Sequence, residues 1–161
     1  MLRSTLLACV FAIGFATAAS AAIEQFHATM SGAQEVPPKQ TAGSGEALAT
    51  LDTAKKELTY TVTFNGLSGP ATAAHFHGPA AAGANAGVAV AIGGKGPTSP
   101  VHGTATLTDA QIKDLQAGNW YVNVHTAANA GGEIRGQVMA SKNGGMAPKA
   151  SAPAKATPAS K

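Results

Sequence analysis

From Glu57 to Phe64 the chain alternates without a break. Leu58, Tyr60, Val62 and Phe64 hold one parity, Thr59, Thr61 and Thr63 the other. Successive side chains of a strand point to opposite faces, so this run suits a β-strand with one apolar and one wet face. Helical geometry would scatter the same residues around the whole circumference. Such a strand needs neighbours, and the sequence supplies seven more short segments that read as strands. Glu24–Met30 places Phe26, Ala28 and Met30 on one face and Gln25, His27 and Thr29 on the other. Segments 46–51, 72–77, 88–92, 102–107, 120–125 and 133–139 complete the set, with Gly, Pro, Asn or Ser punctuation between them.

One helix is signalled, over 108–117. Thr108 stands as N-cap with Gln111 three residues on, Asp109 falls in the first turn, and Gly118 ends it. Ile112 and Leu115 give it a narrow apolar stripe. About eight strands and one short helix predict an all-β fold: an antiparallel, immunoglobulin-like β-sandwich with Greek-key crossings.

The ends have a different composition. Arg3, the apolar run Leu6–Ala16 and the small residues Ala19-Ser20-Ala21 have the form of a signal peptide over 1–21, cleaved near Ala21/Ala22. Export to the periplasm or the medium is therefore expected. The apolar run is too short to serve as a transmembrane anchor. Residues 22–140 form the expected domain. Residues 141–161 are rich in Ala, Pro and Lys and are expected to be a disordered basic tail, acting as a passive spacer or resting on anionic cell-envelope polymers.

The formal net charge of +3 conceals this division. Residues 22–140 carry six cations against eight carboxylates, a net −2, whereas the tail carries four lysines and no acid. A mildly acidic domain argues against nucleic acid as a partner. Cys9, the single cysteine, lies in the leader, so the mature chain is expected to have no disulfide, thiolate ligand or thiol nucleophile. Gly93-Gly94-Lys95-Gly96 lacks the spacing of a phosphate loop, and no serine sits in a G-x-S-x-G elbow.

The remaining chemistry is in the histidines. In Ala74-His75-Phe76-His77-Gly78, strand alternation puts His75 and His77 on one face and Phe76 on the other. His125 ends the segment Trp120–His125. Three imidazoles and no competing thiol suit a transition metal: copper is favoured, with zinc as the alternative. Metal ligation needs neutral imidazoles, so affinity is expected to fall below about pH 6. His27 is a candidate fourth ligand, and His102 reads as a surface residue.

Asn123 and Tyr121 share the face of His125 and are candidates to surround the site, whereas Trp120 reads as core. Glu133 and Arg135, two apart, are expected to form a same-face ion pair on an exposed strand. The alternatives are that Glu133 orients a ligand histidine, or that Arg135 draws an anion toward the metal.

Several blocks carry a family likeness. Gly32–Pro38, Ala74–Pro79, Gly118–Thr126 and Gly131–Gln137 resemble, in order, the signature blocks of the CHRD domain, named from chordin and also found in exported bacterial proteins. The resemblance spans roughly 24–139. It implies an extracytoplasmic β-domain and assigns no reaction. Chordin binds growth factors, but the cysteine-rich domains credited with that binding have no counterpart in this sequence.

A looser likeness of architecture is to the copper-zinc superoxide dismutase sandwich, which also has an H-x-H strand. That family's further histidines and its disulfide are missing here. Redox chemistry of that kind would require an open metal position. Two functional classes follow. One is an exported metal-binding or metal-handling protein, more a binder than an enzyme. The other is a non-catalytic protein-interaction or adhesion module whose histidines are structural.

Overall fold

A computed structural model describes residues 22–141. The segments expected to be signal peptide and basic tail lie outside the described residues, apart from Ser141. Eight strands are present: β1 (Ile23–Ser31), β2 (Ser44–Asp52), β3 (Glu57–Asn65), β4 (Ala71–His77), β5 (Val88–Ile92), β6 (Val101–Thr106), β7 (Trp120–Thr126) and β8 (Ile134–Ala140). The described pairings are antiparallel and join them in one sheet of order β5-β4-β7-β8-β1-β2-β3-β6. This is the all-β antiparallel fold that the alternation called for. The connections β3–β4, β5–β6 and β6–β7 join strands that are not neighbours and so cross the structure.

The sheet curls until its ends approach. Tyr60 of β3 meets Phe76 of β4 edge-on at 5.5 Å between ring centroids, and Phe76 lies 6.1 Å from Trp120 of β7. Strands remote in sheet order thus face one another across a nearly closed, flattened barrel. Its interior takes one parity of each long strand: Phe26, Ala28 and Met30; Ala47, Ala49 and Leu51; Leu58, Tyr60 and Val62; Trp120, Val122 and Val124. Ala49 is the cross-strand partner of both Phe26 and Tyr60, a small residue between two large ones, as dense packing requires.

The helix, α1 (Asp109–Gln116), carries the expected capping box. Gln111 N–H donates to Thr108 Oγ1 at 3.2 Å, and Thr108 N–H donates to Gln111 Oε1 at 2.9 Å. Leu115 is its buried residue, and Gly118 follows at φ +73°, the left-handed conformation that suits glycine at a helix end. The helix leads into β7, the strand that carries His125.

Candidate metal centre

The site lies on the outer face of the sheet, where β4, β7 and β8 run side by side. His77 pairs with Tyr121, His75 with Asn123, and Ala73 with His125. On the other side of β7, Tyr121 pairs with Gln137 and Asn123 with Arg135. Phe76, Trp120, Val122 and Val124 are committed to the interior, so alternation turns all these polar residues outward. His125 is the diagonal neighbour of His75, within reach of a long side chain.

The three histidines come together. One ring nitrogen from each of His75, His77 and His125 lies within 4.8 Å of the others. His75 Nδ1 and His125 Nε2 stand 3.1 Å apart. His77 is buried, while His75 and His125 are half-buried.

Hydrogen bonds fix which edges face inward. His77 Nδ1 lies 3.0 Å from the Ala86 carbonyl, and His125 Nδ1 lies 2.9 Å from the Ala130 carbonyl. A carbonyl only accepts, so both Nδ1 atoms carry a proton, and each Nε2 is the edge turned inward: that of His125 toward His75 Nδ1, that of His77 toward Asn123 Oδ1. Ligand imidazoles are commonly oriented in this way. Burial, then the charges of His125 and His77, pushes the His75 pKa down. Burial pushes the His77 pKa down as well, against a partial opposing pull from its bond to Ala86. Both shifts favour the neutral, ligating form.

Tyr121 lines the site. Its ring is stacked on His77, with centroids 4.7 Å apart and planes 1° from parallel. Arg135 covers the other side of that ring, its guanidinium carbon 3.4 Å from the centroid. Arg135 also donates to Asn85 Oδ1 at 2.9 Å and to the Ala84 carbonyl at 2.6 Å, while Tyr121 Oη donates to the Ala86 carbonyl at 3.3 Å. Asn85 Nδ2 donates in turn to the Val36 carbonyl at 3.2 Å. These side chains tie the Ala- and Gly-rich segment 79–87 over the sheet as a roof. Asn123 Oδ1 is 3.1 Å from His77 Nε2, which brings it into the site as the shared face suggested.

The expected Glu133–Arg135 ion pair does not form, and neither residue is exposed. Glu133 precedes β8, off the regular ladder, so the two-residue spacing does not put it beside Arg135. Its carboxylate accepts from Thr41 Oγ1 (2.6 Å), Ser68 N (2.7 Å), Ser68 Oγ (2.6 Å) and Thr126 Oγ1 (2.6 Å). It therefore bonds none of the histidines. Burial alone would raise its pKa, but the bonds from Ser68, Thr126 and Thr41 outweigh that and bring it to about 2.

His27 lies apart from the cluster. It sits exposed on β1, with Nδ1 3.4 Å from Ser141 Oγ, because β1 is separated from β7 by β8. His102 is exposed as read, with Nδ1 3.0 Å from Thr61 Oγ1.

Two participants had no reading of their own in the sequence. Asn85 belongs to the roof. Glu35 is buried beside Asn123, and burial raises its pKa more than the charge of Arg135 lowers it. The only signal for Glu35 was a carboxylate set among Gly, Val and Pro, with no basic residue nearer than Lys39.

The fold and the cluster together define a nearly closed antiparallel β-domain with three imidazoles gathered on its outer face. The CHRD domain family model matches residues 26–138, so the chain belongs to the CHRD family. No curated protein and no solved structure matches it.

Proposed function

We propose that this CHRD-family protein is exported and binds a transition metal through His75, His77 and His125, with copper favoured over zinc. Its role would lie in metal binding or handling. The observation that carries the reading is the approach of the three ring nitrogens to within 4.8 Å of one another. Two of the rings are also held at Nδ1 by carbonyls so that Nε2 is the atom turned toward the cluster.

The test is titration of the purified protein with Cu(II) and Zn(II), followed by direct binding and by melting temperature. A ligand that binds the native state alone stabilises it by about 2.7 kcal/mol at a hundredfold excess over Kd. The double variant His75→Ala/His77→Ala should lose both binding and the melting shift. If that variant binds as tightly as wild type, the reading is wrong.

A second reading has its own support, because His75 and His125 already bond each other. In that reading the domain is a non-catalytic interaction or adhesion module with structural histidines. Metal would then leave the melting temperature unchanged, while the double variant would lower it.

A further inference from the structure

Glu35 is 4% exposed, and its Oε1 has no hydrogen-bond partner among the described residues. The amide nitrogen of Asn123 faces this carboxylate, and its Oδ1 faces His77 Nε2 at 3.1 Å. Gly132 makes room for the arrangement. A Cβ at that position would collide with both Glu35 Oε1 and Asn123 Nδ2, and its φ of +127° disfavours other residues.

The spacing is that of a coordination shell. His75 Nδ1 and His125 Nε2 are 3.1 Å apart, as are His77 Nε2 and Asn123 Oδ1. Two donors sharing a tetrahedral ion at about 2.0–2.1 Å stand roughly 3.3–3.4 Å from each other. Each pair therefore already sits close to one edge of such a tetrahedron. Asn123 is also the cross-strand partner of His75, on the face that carries the cluster.

We infer that the centre has four donors, with Asn123 Oδ1 joining the three imidazoles, and that Glu35 is the positioning residue that keeps this oxygen turned toward the metal. The inference rests on the three-histidine reading above. The two ends of an asparagine amide have nearly the same shape, so the neighbours decide which way it faces. The unpartnered Oε1 of Glu35 is an acceptor; it selects the NH2 end and leaves the amide oxygen for the site. Three imidazoles and an amide oxygen suit a divalent ion such as Zn(II) or Cu(II). Four protein donors close the shell, as in sites that hold a metal and do not turn over substrate.

The experiment compares Zn(II) affinity and the visible absorption of bound Co(II) in wild type, Asn123→Ala, Glu35→Gln and the swap Glu35→Gln/Asn123→Asp. Asn123→Ala should weaken Zn(II) by about 10–100-fold and change the Co(II) bands. Glu35→Gln, an isosteric change, should act in the same direction, because its new NH2 can bond Asn123 Oδ1 and turn the amide round. The swap should restore at least wild-type affinity and a four-donor Co(II) spectrum. In it the amide now at position 35 holds one oxygen of the carboxylate now at position 123 and frees the other. Asn123→Asp with Glu35 kept should bind more weakly than the swap, because two carboxylates then face each other; a purely structural Glu35 predicts no such difference.

Wild-type affinity and an unchanged Co(II) spectrum in both single variants would overturn the inference. If His75→Ala/His77→Ala abolishes binding while Glu35→Gln and Asn123→Ala do not, only the four-donor shell falls. If wild type takes up neither ion, the three-histidine reading falls with it. Should Asn123→Ala fail to fold, the two isosteric variants still decide the question.

Discussion

Glu133 offers a direct test of how the loops around the site are held. It is 0% exposed, and its four hydrogen bonds join residues 41, 68 and 126 to the start of β8. Lowering its carboxyl pKa from 4.5 to about 2 corresponds to roughly 3 kcal/mol of stability at neutral pH, at about 1.36 kcal/mol per decade of proton affinity. Glutamine keeps the shape but brings an NH2 group to positions where Ser68 and Thr126 donate. Glu133→Gln should therefore lose most of that amount, a large fraction of the roughly 6–18 kcal/mol typical of a domain of about 120 residues.

The folded pKa is depressed, so the unfolded chain takes up the proton first as pH falls. The stabilisation is complete above the unfolded pKa and disappears as pH drops through 4.5 toward 2. Urea unfolding of both proteins between pH 6 and pH 2.5 measures this. The difference between them should shrink from about 3 kcal/mol to about 1 kcal/mol, whatever the other carboxylates contribute to both. A difference below about 0.5 kcal/mol at pH 6, or one that does not change with pH, would refute the reasoning.

Two further substitutions probe the supports of the site. Arg135→Lys keeps the charge but loses the planar stack on Tyr121 and the fork to Ala84 and Asn85. Amide hydrogen exchange across 79–87 should accelerate about 10-fold or more, with little change in the barrel strands; equal protection would show that the roof does not depend on the fork. Thr108→Ala removes the capping box of α1 and should cost about 1 kcal/mol in urea unfolding, with an unchanged denaturant slope.

The strands were legible from the alternation of 24–30 and 57–64 and from the turn residues that bound the shorter segments. The β2 strand extends beyond the apolar stretch 46–51 to Ser44–Asp52 because it is paired along its whole length with β1 and β3, and backbone pairing does not need apolar side chains at the ends. The three-histidine cluster was legible for the same reason: parity chose the face, and antiparallel pairing of β4 with β7 made His75 and His125 neighbours. Parity failed at Glu133, which sits before the ladder begins, where the chain no longer alternates. It also says nothing about Glu35, whose neighbours Asn123 and Gly132 come from nearly a hundred residues away. Covering the outer face with segment 79–87 buries Arg135 and Tyr121 where alternation alone would leave them wet.

This division has a consequence for how the domain can change. The apolar interior supplies most of the burial that drives folding, and no residue of the histidine cluster contributes to it. The polar layer beneath the roof is held separately, by side-chain bonds from the outer face to 79–87 and from there to Val36. Replacing a cluster histidine therefore removes bonds in the outer layer and leaves the barrel packing untouched. The ligand face is still not loose, because β4 and β7 each have a paired strand on both sides, so the backbone that aims His75, His77 and His125 is fixed by the sheet. The arrangement of the cluster can then be altered through Asn123, Tyr121 and the roof while the core stays as it is, and on the metal-binding reading proposed above affinity would follow it, whereas a change at Phe76 or Trp120 would disturb packing and cluster together.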